Sequence, residues 1–160
     1  MRVAWFGHVA GRRGNGLITY SREVTAALRH AGHEVIFFYH GGSESDAQSP
    51  DHIRIGALDI LDRTVISSID APRIIADVLR TRRPDVAHAS LSWSLLDFAL
   101  PDVCHEQQVP IVCTLHFPYD AHSTLMGNLS RTMYRVYATI LARYDYYIVF
   151  SQAQRRMLAS

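Results

Sequence analysis

Residues 2–39, RVAWFGHVAGRRGNGLITYSREVTAALRHAGHEVIFFY, decide the fold. Arg2 to Gly7 is a short apolar run ending in glycine. The loop Gly11-Arg12-Arg13-Gly14-Asn15-Gly16 follows, and a helical pattern begins after it. Leu17, Tyr20, Val24, Ala27, Leu28 and Ala31 recur at three- and four-residue spacing, which assigns them to one inward face, with Arg22, Glu23 and Arg29 on the other. Gly32 is placed to end the helix in the left-handed conformation. Val35 to Tyr39 is continuously apolar and aromatic, as a strand covered on both faces requires. Strand, helix and strand together form a βαβ unit.

Outward from this unit the alternation continues. Gly41 to Asp51 is rich in Gly, Ser, Asp, Gln and Pro and reads as a solvated loop. Ile53 to Leu61 is expected to hold a third, weaker strand. Ala71 to Arg83 reads as a helix with Ile74, Ile75, Val78 and Leu79 inward, closed by Pro84. Asp85 to Ala89 is a fourth strand, and Trp93 to Glu106 carries a helical pattern that Pro101 is expected to kink or split. Ile111 to Leu115 is a fifth strand, Asn128 can cap a long helix reaching about Arg143, and Tyr146 to Phe150 is a sixth strand. Ser151 can cap a helix that begins at Gln152. Strands alternating with helices at this spacing predict an α/β chain, Rossmann-like and doubly wound, with a mostly parallel sheet and helices on both faces.

Composition bounds the function. A chain of 160 residues with 48% hydrophobic and 19% charged residues has the size and content of one globular domain. A formal net charge of +1 supplies no general basic field, so no nucleic-acid partner is expected. All 16 Lys+Arg residues are Arg. The absence of lysine excludes a Walker A phosphate loop and a lysine Schiff base within this chain. Cys104 and Cys113 are too few for a disulfide framework and fit a reducing compartment, so a cytoplasmic location is expected. Met1 to Phe6 is too short for a signal-peptide core, and no apolar run approaches the roughly 18 residues of a membrane span.

In an open α/β sheet, ligands bind beyond the carboxyl ends of the strands. The glycine loop places free backbone N–H groups and a helix N-terminus there, which suits an anion. Its spacing is G-x-x-G-x-G, and no carboxylate closes the second strand, so a nicotinamide dinucleotide is disfavoured. A tight turn without a ligand is the plain alternative for Gly11, Gly14 and Gly16. Arg12 and Arg13 can clamp an anionic acceptor or simply be solvated. His116, polar and directly after a buried strand, can donate to a developing negative charge or orient a hydroxyl, or else be a hydrogen-bonded structural histidine. For His8 and His88 the structural role is the favoured reading. The nine histidines show no zinc spacing, no serine sits in a nucleophile elbow, and no paired acid accompanies Asp120; no metal or cofactor is expected. The segment Asn128 to Arg143, with Arg131, Arg135 and Arg143 among aromatic residues, can touch a membrane surface at its inner face, though an amphipathic core-packed helix is the plainer reading.

Five segments in register carry a family resemblance. They are Asn15-Gly16 before the first helix, Ala31-Gly32-His33-Glu34-Val35, Arg83-Pro84-Asp85-Val86-Ala87-His88, Val109 to His116, and Asp145-Tyr146-Tyr147-Ile148-Val149-Phe150-Ser151. In order and spacing the set resembles the N-terminal domain of family 4 (group 1) retaining glycosyltransferases with the GT-B fold. The resemblance implies that residues 1–160 are the N-terminal, acceptor-side half of a hexosyl- or glycosyltransferase whose C-terminal donor-binding domain is absent from this chain. It also implies transfer of a sugar from a nucleotide-sugar co-substrate to an acceptor hydroxyl with retention. Gly16, with Asn15, would lie near the donor pyrophosphate, and His116 beside the donor sugar as the catalytic residue. Arg12, Arg13, His8 and Tyr119 are candidate acceptor contacts. A fragment lacking its partner domain would be inactive and could self-associate. Two other classes stay open: another GT-B half of the sugar-nucleotide epimerase type, and a stand-alone flavodoxin-like binding module.

Overall fold

The computed structural model describes residues 1–7, 16–40, 50–60, 64–91, 94–116 and 138–158. Six parallel strands form the central sheet: β1 (Arg2–Phe6), β2 (Glu34–His40), β3 (His52–Ile55), β6 (Val86–Leu91), β7 (Ile111–Leu115) and β8 (Tyr146–Ile148), in the order β3-β2-β1-β6-β7-β8. The expected third strand is divided at Gly56. β3 stays in the sheet, whereas β4 (Ala57–Ile60) turns away and pairs antiparallel with β5 (Thr64–Ser67). Closure of this hairpin brings the Ser68 amide to the Gly56 carbonyl at 2.7 Å, and a Cβ at Gly56 would stand 3.2 Å from that of Ser68. With the hairpin set aside, the strand order is that of the Rossmann fold and not that of flavodoxin, and its direction reverses between β1 and β6. The flavodoxin-like alternative is thereby corrected.

Helices cover both faces. α1 (Gly16–His30) lies over Val3, Trp5, Val35, Phe37 and Val86, while α2 (Ala71–Arg82), α3 (Leu96–Glu106) and Ile140, Leu141 and Tyr144 cover Ala4, Phe6, Ile36, Phe38, Ala87, Ala89, Ile111 and Cys113. Strand alternation makes this division. Alanines at 4, 87 and 89 let the second helix layer approach closely, and the wholly buried Ile75, Leu79, Leu100 and Leu115 each contribute about 1.5–3 kcal/mol there. α1 ends as expected: Gly32 has φ +81°, with the Gly32 amide bonding Arg29 O and the His33 amide bonding Leu28 O. α4 (Gln152–Leu158) starts as expected, with Ser151 Oγ accepting the Gln154 amide at 3.1 Å. Two expectations for α1 are overturned. Ala27 and Ala31 are exposed, and Ser21 and Thr25 are buried in their place. The inward stripe therefore carries small hydroxyl residues, and Thr25 Oγ1 donates back to the Ser21 carbonyl at 2.7 Å.

Pro101 neither splits nor ends α3. Its missing N–H would have bonded the Asp97 carbonyl, and the Tyr144 hydroxyl donates to that carbonyl instead, at 2.8 Å. Of the helix expected from Asn128, only its last turn, residues 138–141, falls within the described residues, and it stops short of Arg143. Arg143 pairs with Asp102 and donates to the Phe98 carbonyl at 3.0 Å, so it fastens this segment to α3. β8 is shorter than expected, ending at Ile148.

The amino edge of the sheet is fastened by two aspartates, each just before a strand. The Arg2 amide donates to Asp85 at 2.6 Å, and the Ile111 amide donates to Asp145 at 2.7 Å. In return the Asp85 and Asp145 amides bond the carbonyls of Arg2 and Ile111. The Ile111 amide and then His105 hold the Asp145 carboxyl below the usual carboxylate range. Its stabilising share is thus present above about pH 4 and lost as pH falls through its lowered value. Asp145→Ala should cost about 1–2 kcal/mol at neutral pH in urea unfolding, and Asp145→Asn, which keeps an acceptor, less than half of that. Equal losses in the two variants would show that the charge, and not the bond to Ile111, carries the effect.

Candidate functional site

Because the strands are parallel, their carboxyl ends share one edge, and the reversal of strand order opens a crevice between β1 and β6. Registry and the period of two bring Trp5, His88, Ser90 and Thr114 to the α1 face near that edge, with His116 next in phase after β7. Gly16 and His116 lie at this same edge. Tyr20, one turn on from Gly16, meets the His116 ring edge-on at a centroid distance of 4.7 Å. Phe150, beyond β8, packs 5.2 Å from His116 on another side.

His116 is half-buried, and its Nε2 lies 3.4 Å from Ser90 Oγ. His88 is buried, stacked on the Trp5 indole at 3.8 Å, with Nε2 2.7 Å from Thr114 Oγ1; Thr114 Oγ1 is in turn 3.2 Å from Tyr20 Oη. The structural reading of His88 is borne out by this packing. Trp5 Nε1, Ser21 Oγ, Tyr39 Oη and His88 Nδ1 are buried without a hydrogen-bond partner among the described residues. Trp5, Tyr39 and His88 point to the α1 side of the sheet, and Ser21 is a buried residue of α1. The opposite side is an apolar layer.

Gly16 is exposed, and a Cβ added there would meet nothing within 4 Å. Neither a positive φ nor packing among the described residues requires glycine at this position. His8, Arg12, Arg13, Asn15 and Tyr119 lie outside the described residues. Sequence reasoning passed over Tyr20, Ser90 and Thr114 as site residues. The period of two from His88 to Ser90 and from Thr114 to His116 was the signal that could have grouped Ser90 and Thr114 with the two histidines. Among the described residues no group of three His, Cys, Asp or Glu could hold a metal ion, and no helix is long and apolar enough to cross a membrane. Burial raises the Cys104 thiol to about 12 and moves that of Cys113 higher still, so neither is a nucleophile.

The profile of Glycosyltransferase Family 4 matches residues 14–160. The chain belongs to this family. Among solved structures it is similar to that of MurG from Acinetobacter baumannii, with a TM-score of 0.60 at 9% identity over 94% of this chain. The chain spans 42% of the MurG chain. At this identity the likeness concerns the fold. No curated protein matches the sequence. As a family 4 glycosyltransferase domain, the chain has the Rossmann-like architecture of an N-terminal GT-B half.

Desolvation, with the neighbouring His116 second, pushes the His88 imidazole from 6.5 down to about 3. The unfolded chain takes up a proton near pH 6.5 that the folded domain refuses, so stability falls as pH drops through this window. By linkage the loss from His88 at pH 5, relative to pH 7.5, is about 2 kcal/mol. His88→Phe keeps the stack on Trp5 and removes the titration. Urea unfolding at the two pH values should show the parent losing about 2 kcal/mol more than the variant on acidification; matched losses would mean that His88 titrates normally.

Proposed function

We propose that this chain is the acceptor-side half of a retaining glycosyltransferase that moves a hexosyl group from a nucleotide sugar to an acceptor hydroxyl, its donor-binding domain lying outside these residues. The observation that carries the reading is His116, half-buried against the mutually packed rings of Tyr20 and Phe150 at the carboxyl edge, where Tyr20 stands one helical turn from the N-terminus of α1. A sugar bound over His116 would have its leaving pyrophosphate toward Gly16, where the helix dipole favours negative charge. Openness at Gly16 supports this placement, since neither packing among the described residues nor φ explains the glycine. His116 would hydrogen-bond the reacting sugar while the leaving group gains charge. The nucleotide sugar is the co-substrate, and no further cofactor enters the reaction.

The edge strand β8 also supports a covering partner domain. Tyr146, Tyr147 and Ile148 are 69%, 47% and 44% exposed, and Phe150 is 58% exposed. A row of this kind is a surface that invites pairing, which is also why the isolated chain would self-associate.

In the intact enzyme, His116→Ala should lower kcat on the order of 100-fold while leaving donor affinity nearly unchanged, since one preorganised polar contact is lost at the reacting sugar. Steady-state kinetics decide it, and turnover within about threefold of the parent refutes the role. The chain by itself should bind UDP-, GDP- or ADP-sugars no better than millimolar. A helix N-terminus contributes roughly 0.3–1 kcal/mol, whereas micromolar affinity needs about 8 kcal/mol. Saturable micromolar binding in titration calorimetry would place the donor site within these residues.

A further inference from the structure

We propose that Tyr20, Thr114 and His88 are positioning residues for the imidazole of His116, fixing it to the buried layer at the β1/β6 junction; the proposal rests on the reading of His116 given above. His116 follows β7, so strand pairing no longer sets its direction. Its ring is bounded by Ser90 Oγ at 3.4 Å, by the Tyr20 ring at 4.7 Å and by the Phe150 ring at 5.2 Å. Of these walls, Tyr20 is anchored in the interior. Its hydroxyl meets Thr114 Oγ1, Thr114 meets His88 Nε2, and His88 is stacked on Trp5, so four side chains from three strands and one helix form a continuous connection.

Burial sets the polarity of this connection. His88 Nδ1 has no partner among the described residues. A buried N–H without an acceptor costs more than a bare lone pair, so the proton resides on Nε2 and is donated to Thr114 Oγ1. The Thr114 hydroxyl then donates to Tyr20 Oη. Thr114 is fully buried, which leaves its hydroxyl no water to exchange with. Tyr20 therefore cannot swing from His116 without stranding a polar group in the interior, and the imidazole is held against a fixed wall. Catalytic groups must be held within about 0.5 Å of the productive geometry, so the anchor acts on turnover more than on binding.

The test is steady-state kinetics of the intact enzyme carrying Tyr20→Phe, Thr114→Val, Thr114→Ser, the Tyr20→Phe/Thr114→Val pair, and His116→Ala as reference. Tyr20→Phe and Thr114→Val should each lower kcat about 10-fold with the donor KM within about threefold. Thr114→Ser, which keeps the hydroxyl, should stay near the parent. The pair should be no worse than the poorer single variant, because both changes break the same connection. If Thr114→Val does not fold, Tyr20→Phe, which keeps the ring and loses only the hydroxyl, decides alone, with thermal unfolding as the control for structure. Turnover within threefold of the parent in folded Tyr20→Phe, or losses that multiply in the pair, overturns the proposal while a His116→Ala loss of about 100-fold leaves the proposed function standing. A silent His116→Ala removes both, and that variant tells the two failures apart.

Discussion

The parallel pairing of β1 with β6 is the constraint on which the rest of the molecule depends. Its register, Trp5 opposite His88 and Phe6 opposite Ala89, assigns each side chain to a face, and a slip of one residue would exchange the two sets. In the observed register the alanines and Phe6 face α2 and α3, while the indole and the imidazole face α1. The same pairing creates the reversal of strand order, and with it the crevice. One alignment of two short strands thus decides both where the apolar core lies and which residues reach the functional edge.

The two edges of the sheet divide the labour. At the amino edge, Asp85 and Asp145 accept backbone amides of neighbouring strands, and Arg2 pairs with Glu34 at 2.6 Å. At the carboxyl edge, among the described residues, His116 stands among aromatic rings, and the glycine at the start of α1 is open to solvent. Motif aspartates that stand out in the sequence are therefore strand fasteners, remote from the crevice. The motif histidines differ in kind: His88 is locked into the layer beneath α1, and His116 emerges from it.

Much of this was legible in the sequence because hydrophobic runs and punctuation agreed. Ile111 to Leu115, the Gly32 cap and the Ser151 cap fall where residue type alone places them. The misreadings have local physical causes. Pro101 reads as a breaker because its lost hydrogen bond is visible in sequence, whereas the Tyr144 hydroxyl that replaces it comes from a distant segment. The stripe of α1 was drawn by hydrophobicity, which selects Ala27 and Ala31 and passes over Ser21 and Thr25, although the Thr25 hydroxyl bonds back to the Ser21 carbonyl. At the site, His116 was evident from its position after an apolar strand. Tyr20 and Thr114 were not, because their pairing joins residues 94 positions apart.

The uneven satisfaction of polar atoms has a consequence for motion. A buried donor or acceptor left without a partner costs about 1–3 kcal/mol, and the four such side-chain atoms among the described residues belong to Trp5, Tyr39 and His88, on the α1 side of the sheet, and to Ser21 of α1 itself. Among the described residues the α2 and α3 side carries no comparable penalty. Adhesion of α1 is therefore the weaker of the two, and local opening, when it occurs, exposes the α1 layer before the apolar one. The Tyr20 hydroxyl ties the first turns of α1 to Thr114 and His88, so what freedom the helix has lies beyond that tie, toward its carboxyl end, and the crevice keeps a fixed border.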